Sequence, residues 1–136
     1  MNTIDKELLL KDLCARIPHG VKVAFFNEDL TCHSEPKTLI GTECINNLNY
    51  SRLEDEDGNT TIVEFVKPYL FPLSSMTEEQ YDQLYIDSRV KNDSIDILDA
   101  LANDMDAIDW LNAHHFDYRG LIEKGLAIDA TGLNIY

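Results

Sequence analysis

Positive charge is what this sequence has least of. Lys and Arg together number 11 in 136 residues against 25 Asp and Glu, a formal net charge of −14. Phosphate backbones and anionic membrane surfaces repel such a chain unless its cations gather in one patch. Lys6, Lys11, Arg16, Lys22, Lys37, Arg52, Lys67, Arg89, Lys91, Arg119 and Lys124 are instead spread along the whole length, so binding to duplex DNA or RNA is not expected. Long apolar runs are missing as well. None approaches the roughly 20 residues of a membrane span, and Met1-Asn2-Thr3-Ile4-Asp5-Lys6-Glu7 is too polar to begin a secretory signal. The expectation is a cytoplasmic protein that keeps off membranes. Cysteine is scarce: Cys14, Cys32 and Cys44 make neither a CxxC pair nor an even disulfide set, and free, mostly buried thiols are expected. Gly41, Gly58, Gly120, Gly125 and Gly132 are isolated, so neither a P-loop nor a dinucleotide fingerprint can be written from them. No zinc pattern occurs, and no cofactor is expected.

What is present is an ordinary globular mixture, 44% hydrophobic and 26% charged, unlike the apolar-poor composition of a disordered chain. The length suits one domain, residues 1–136. Thr3 is placed to cap a first helix carrying Ile4, Leu8, Leu9, Leu13 and Ile17 at helical spacing, stopped by Pro18 and Gly20. From Val21 the period becomes two, and strands are expected near 21–26, 30–33, 38–44, 48–53 and 60–66, with Asn46-Asn47 and Asp57-Gly58 as turns. Pro68 and Pro72 end the last of these and make residues 67–76 an extended, apolar connector. Thr77-Glu78-Glu79-Gln80 is a capping box for a helix to about Arg89. Asn92-Asp93-Ser94 opens another to about His114, a short helical piece covers 119–124, and residues 126–128 suit a last strand. The predicted fold is α+β: an N-terminal helix, a small antiparallel sheet of four or five strands, then two or three C-terminal helices.

Candidate sites follow from clusters of chemical groups. Asp55, Asp57 and Glu64 fall at calcium-loop positions when Gly58 is aligned as the sixth residue, but Leu53 occupies the first ligand position and the flanks read as strands. An acidic hairpin is the better reading. His114, His115 and Asp117 form the one dense histidine group and could serve a small hydrolase. Neighbouring positions on a helix diverge by about 100 degrees, which argues against a shared metal. Aromatic and polar groups at Tyr69, Phe71, Trp110, His114, His115, Tyr118 and Arg119 would suit a pocket for a small ligand, a nucleotide among them. The acids are unevenly placed: residues 77–109 hold ten against Arg89 and Lys91, a net of −8. Within them Asp96, Asp99, Asn103 and Asp106 step along one helical face. That face is expected to dock a basic protein, with non-enzymatic protein binding the leading expectation.

Three stretches carry a resemblance. Residues 7–21 (Glu7-Leu8-Leu9-Leu10 onward), 66–79 (Val66-Lys67-Pro68-Tyr69-Leu70-Phe71-Pro72) and 110–122 (Trp110-Leu111-Asn112-Ala113-His114-His115-Phe116-Asp117-Tyr118-Arg119) resemble a group of small proteins encoded by gut Bacteroidales bacteria, their phages and mobile elements, for which no activity is established. The resemblance implies a phage or mobile-element origin and, for the acidic face, a host protein as the partner. It implies no catalytic residue and no oligomeric state.

Overall fold

The computed structural model describes residues 2–27, 35–44, 51–88 and 105–136. The strand expected near 30–33, the Asn46-Asn47 turn and the helix start at Asn92-Asp93-Ser94 lie outside them. So do Asp96, Asp99 and Asn103 of the expected docking face.

Helix α1 spans Thr3–Arg16, and its cap is Asn2, whose side chain accepts from Asp5 N at 2.8 Å. Thr3 is therefore the first helical residue and not the cap, since an amide oxygen one position earlier already reaches the exposed amide. Leu9, Leu13 and Arg16 all fall on the inner face and are fully buried. A 3-10 turn, Ile17–His19, ends at Gly20 in the left-handed region, φ 71°, a conformation glycine adopts at little cost.

The sheet is larger than the sequence pattern indicates and it is mixed. Strands β1 (Lys22–Phe25), β2 (Lys37–Cys44), β3 (Ser51–Asp55), β4 (Thr60–Ile62), β5 (Val66–Pro72), β6 (Phe116–Asp117) and β7 (Ile128–Asp129) form one seven-stranded sheet ordered β4-β3-β2-β1-β5-β6, with β7 also on β5. Pairs from β4 through β5 are antiparallel, whereas β6 and β7 run parallel to β5. The fold is thus α+β, but the antiparallel sheet of four or five strands is corrected to seven mixed strands. Two local facts explain the difference. The run 60–66 is not one strand: a 3-10 turn, Val63–Phe65, lifts the chain off the β3 edge and delivers it to β1 on the other side of the sheet.

The second fact is that Pro68 does not end a strand; it sits inside β5, opposite Val23. Phe26 N donates to Phe65 O at 2.8 Å. On that register Pro68 falls at a non-hydrogen-bonded position between Lys67 and Tyr69, where β1 asks for no N–H.

The hairpin between β3 and β4 follows the Asp57-Gly58 signal. Gly58 is at φ 83°, and Asp55 Oδ1 accepts from Asp57 N and Asn59 N at 2.9 and 3.0 Å. Helix α2, Glu78–Ser88, begins with the reciprocal capping box, Thr77 N to Gln80 Oε1 and Gln80 N to Thr77 Oγ1. Helix α3, Met105–Ala113, packs against α2 through Leu84, Ala107 and Leu111. Residues 119–124 form turns and not the expected short helix. No helix among the described residues is long and apolar enough to cross a membrane. Cys14 is exposed, contrary to the expected buried thiol.

Candidate functional site

The chemically distinctive part of the molecule lies where α1, the end of α3, β6 and the last residues converge. It is built on a charge that the helical pattern hides. Arg16 and Asp12 stand four apart on the inner face of α1, and both are 0% exposed. Arg16 Nε donates to Asp12 Oδ2 at 2.8 Å, and its Nη2 donates to the Phe116 carbonyl at 2.6 Å. The other Asp12 oxygen takes Arg119 Nε at 3.1 Å, so one carboxylate serves two guanidiniums. Tyr118 lies against both of them, its ring centroid 5.4 Å from Arg16 and 4.8 Å from Arg119. Its hydroxyl accepts from Arg119 Nη2 and donates to Asn112 Oδ1 of α3, each at 2.9 Å. A buried ion pair needs this density of partners, because desolvation alone costs each ion several kcal/mol.

Next to this network α3 ends in two histidines whose rings go different ways. His114 stacks on Trp110, centroids 3.9 Å apart, with its Nδ1 2.8 Å from the Trp110 carbonyl. His115 closes the helix in the left-handed region, φ 63°, where glycine or asparagine is usual. The residue is 9% exposed, and its ring stacks on Tyr136, centroids 3.7 Å apart and planes within 12°. Burial first, then the Arg16 guanidinium, His19 and His114, pushes its imidazole down to about 4. The Tyr136 hydroxyl accepts from Lys22 N at 2.8 Å and donates to Tyr69 O at 2.7 Å. Lys22 and Tyr69 are the next partners on the β1–β5 register, so the phenol stands in the ladder where a direct backbone bond would otherwise close. Burial of that hydroxyl pushes Tyr136 up to about 12, although the residue as a whole stays 41% exposed. Asp117 turns away, its two oxygens accepting from Leu121 N and Ile122 N at 3.0 and 2.9 Å.

The residues singled out for a pocket therefore come together, but mainly as packed structure. Tyr69, Trp110 and His115 are buried, and Tyr118 and Arg119 belong to the Asp12 network. Phe71 lines a cleft of about 230 Å³ with Ser75, Thr77, Gln80 and Phe116. Tyr118 lines a separate one of about 300 Å³ with Pro72, Leu73 and Asp117. His114, His115 and Asp117 each hold a different internal partner, and only Asp117 lines one of these clefts. Among the described residues, no group of His, Cys, Asp and Glu is placed to hold a metal ion. Of the calcium-loop residues, Asp55 caps its own hairpin, Lys37 pairs with Asp57 at 2.9 Å, and Lys6 pairs with Glu64 at 2.5 Å. Asp106 belongs to α3. Asp12, Arg16 and Tyr136 were not among the sequence candidates. The signal for the first two was a charged pair at i and i+4 on the same stripe as Leu9 and Leu13. For Tyr136 the sequence holds no signal. No family model, no curated protein and no solved structure matches the chain.

Proposed function

We propose that this chain is a non-enzymatic protein-binding module whose acidic helical surface docks a basic partner. The observation that supports it is that α2 packs on α3 while Glu78, Glu79 and Asp82 of the one helix and Asp109 of the other stay exposed. None of the ion pairs found among the described residues uses these four acids. Carboxylates without internal cations present an unscreened field to a cationic partner and speed its encounter. Asp96, Asp99, Asn103 and Asp106 extend the same acidic segment in sequence. The mobile-element resemblance makes a basic host protein the fitting target. The test is capture of partners on the immobilised protein across a salt series, with a Glu79→Gln/Asp82→Asn/Asp96→Asn/Asp99→Asn/Asp106→Asn variant alongside. Basic proteins should be captured at low salt, lost by about 0.5 M as the Debye length shrinks toward 4 Å, and absent from the variant. Capture that ignores both salt and the substitutions rejects the proposal.

A second reading, a small-ligand binder, is favoured by the clefts that Phe71 and Tyr118 line, the latter at the lower end of ligand-pocket size. A thermal-shift screen of nucleotides and small acids separates it, since a ligand at 100 times its dissociation constant adds about 2.7 kcal/mol.

A further inference from the structure

We propose that His115 and Tyr136 form an acid-sensitive clasp, in which a proton on the His115 ring releases residues 131–136 from the sheet. Three independent geometric facts carry it. His115 is a non-glycine residue at positive φ, 63°, a conformation held by its surroundings and not by its own preference. Its imidazole lies flat on the Tyr136 ring at 3.7 Å. The hydroxyl of that tyrosine is the link between Lys22 N and Tyr69 O, so the position of the His115 ring and the closure of the β1–β5 ladder depend on the same side chain.

The neighbours of the ring decide what a proton would do there. From α1 comes Arg16, whose Nη2 holds the Phe116 carbonyl and whose buried Nη1 has no partner. The 3-10 turn after α1 supplies His19, and α3 supplies His114. Residues 131–136 supply only the Tyr136 phenol, which burial keeps neutral. Asp12 lies behind Arg16 with both oxygens in ion pairs, and the Asp117 oxygens are both on backbone amides. His115 Nδ1 is itself buried without a partner. A proton therefore adds a cation beside a buried cation and meets no free carboxylate among the described residues, and the relief available to the ring is to leave its site and take Tyr136 with it. The folded-state value, about 4, is below the ordinary 6.5. The clasp is accordingly at full strength above pH 6.5 and weakens as pH falls toward 4, by at most tenfold per pH unit.

An NMR titration from pH 7.5 to 3.5 tests this, following the His115 ring, the Tyr136 ring and the Lys22 amide. In the wild type all three signals should move together at a midpoint well below 6. In His115→Asn, which tolerates the left-handed backbone and carries no titrating ring, the Lys22 amide should hold its position over the same range. Tyr136→Phe should raise the His115 midpoint toward 6.5 and make the Lys22 amide exchange at least about tenfold faster at pH 7. A Lys22 shift at the same pH in His115→Asn assigns the response to carboxylates and overturns the clasp. So does a His115 midpoint near 6.5 in the wild type, or one that Tyr136→Phe leaves unchanged.

Discussion

At the scale of single residues, the main commitment is the burial of Arg16. A fully buried guanidinium is tolerated because Asp12 and the Phe116 carbonyl satisfy it, and removing one partner leaves the other charge without compensation. Asp12→Ala is therefore expected to lower the free energy of unfolding by about 3–5 kcal/mol in urea titrations. The joint replacement Asp12→Leu with Arg16→Met, which removes both charges and fills their space with apolar atoms, should recover most of that loss. Equal losses in the single and joint variants would mean that packing, not charge compensation, holds this part of α1. Helical spacing puts residue 16 on the stripe of Leu9 and Leu13, yet an arginine there reads as the exposed last turn of a helix, where cations are favoured. Nothing nearby in sequence indicates that its second partner, the Phe116 carbonyl, sits a hundred residues further on.

At the scale of elements, short-range chemistry was legible wherever its partners are neighbours. The Thr77 and Gln80 capping box, the Asp57-Gly58 hairpin and the helical stripe of α1 all depend on residues within a few positions of one another. Thr77→Ala should cost about 1 kcal/mol of stability. Gly58→Ala should cost about 1–2 kcal/mol through its positive φ alone, because the added methyl would meet only Glu54 Oε1 at 4.0 Å. Gly41→Ala, where φ is not in the left-handed region and nothing lies within 4 Å, should stay within about 0.5 kcal/mol of the parent. Thermal unfolding of the three variants ranks them directly, and a costly Gly41→Ala would show that the register shift between Leu39 and Gly41 in the β2–β3 pairing, not backbone conformation, sets glycine's value here. The strands that escaped the pattern are those specified from far away. β6 has two residues and no periodicity to read, and β7, also two residues, falls at the end of the strand expected at 126–128; both are held by the bonding edges that β5 offers them. β5 was hidden by its two prolines, whose local rule predicts a break, whereas the register to β1 leaves Pro68 a place that needs no donor.

At the scale of the whole molecule, the charge is partitioned. Residues 1–76 carry −5, residues 77–109 carry −8 and the remainder carries −1. A chain at −14 repels itself when folded, and none of the ion pairs among the described residues involves the four surface acids of α2 and α3. Adding salt from about 0.05 to 0.5 M should therefore raise the melting temperature, since screening weakens repulsion between exposed charges. A fall would indicate that the Lys6–Glu64 and Lys37–Asp57 pairs outweigh the repulsion. The candidate site was legible in part for the same reason as the fold. Tyr69, Phe71, Trp110, His114, His115, Tyr118 and Arg119 do meet, as their aromatic character implied, but Tyr136 and the Asp12–Arg16 pair that organise them are reached only through the tertiary path.

That path has a further consequence in time. Arg16 finds the Phe116 carbonyl 100 positions away, Arg119 reaches Asp12 across 107, and Tyr136 reaches Lys22 across 114. A nascent chain can wind α1 early and pair Arg16 with Asp12 inside the helix, but the further bonds of that pair, from Arg16 to the Phe116 carbonyl and from Arg119 to Asp12, wait until residues 116–119 have emerged. Synthesis and folding are thereby coupled in order: β1 to β5 can pair once residue 72 has emerged, whereas β6 and β7 join the β5 edge only after residues 116–129 follow.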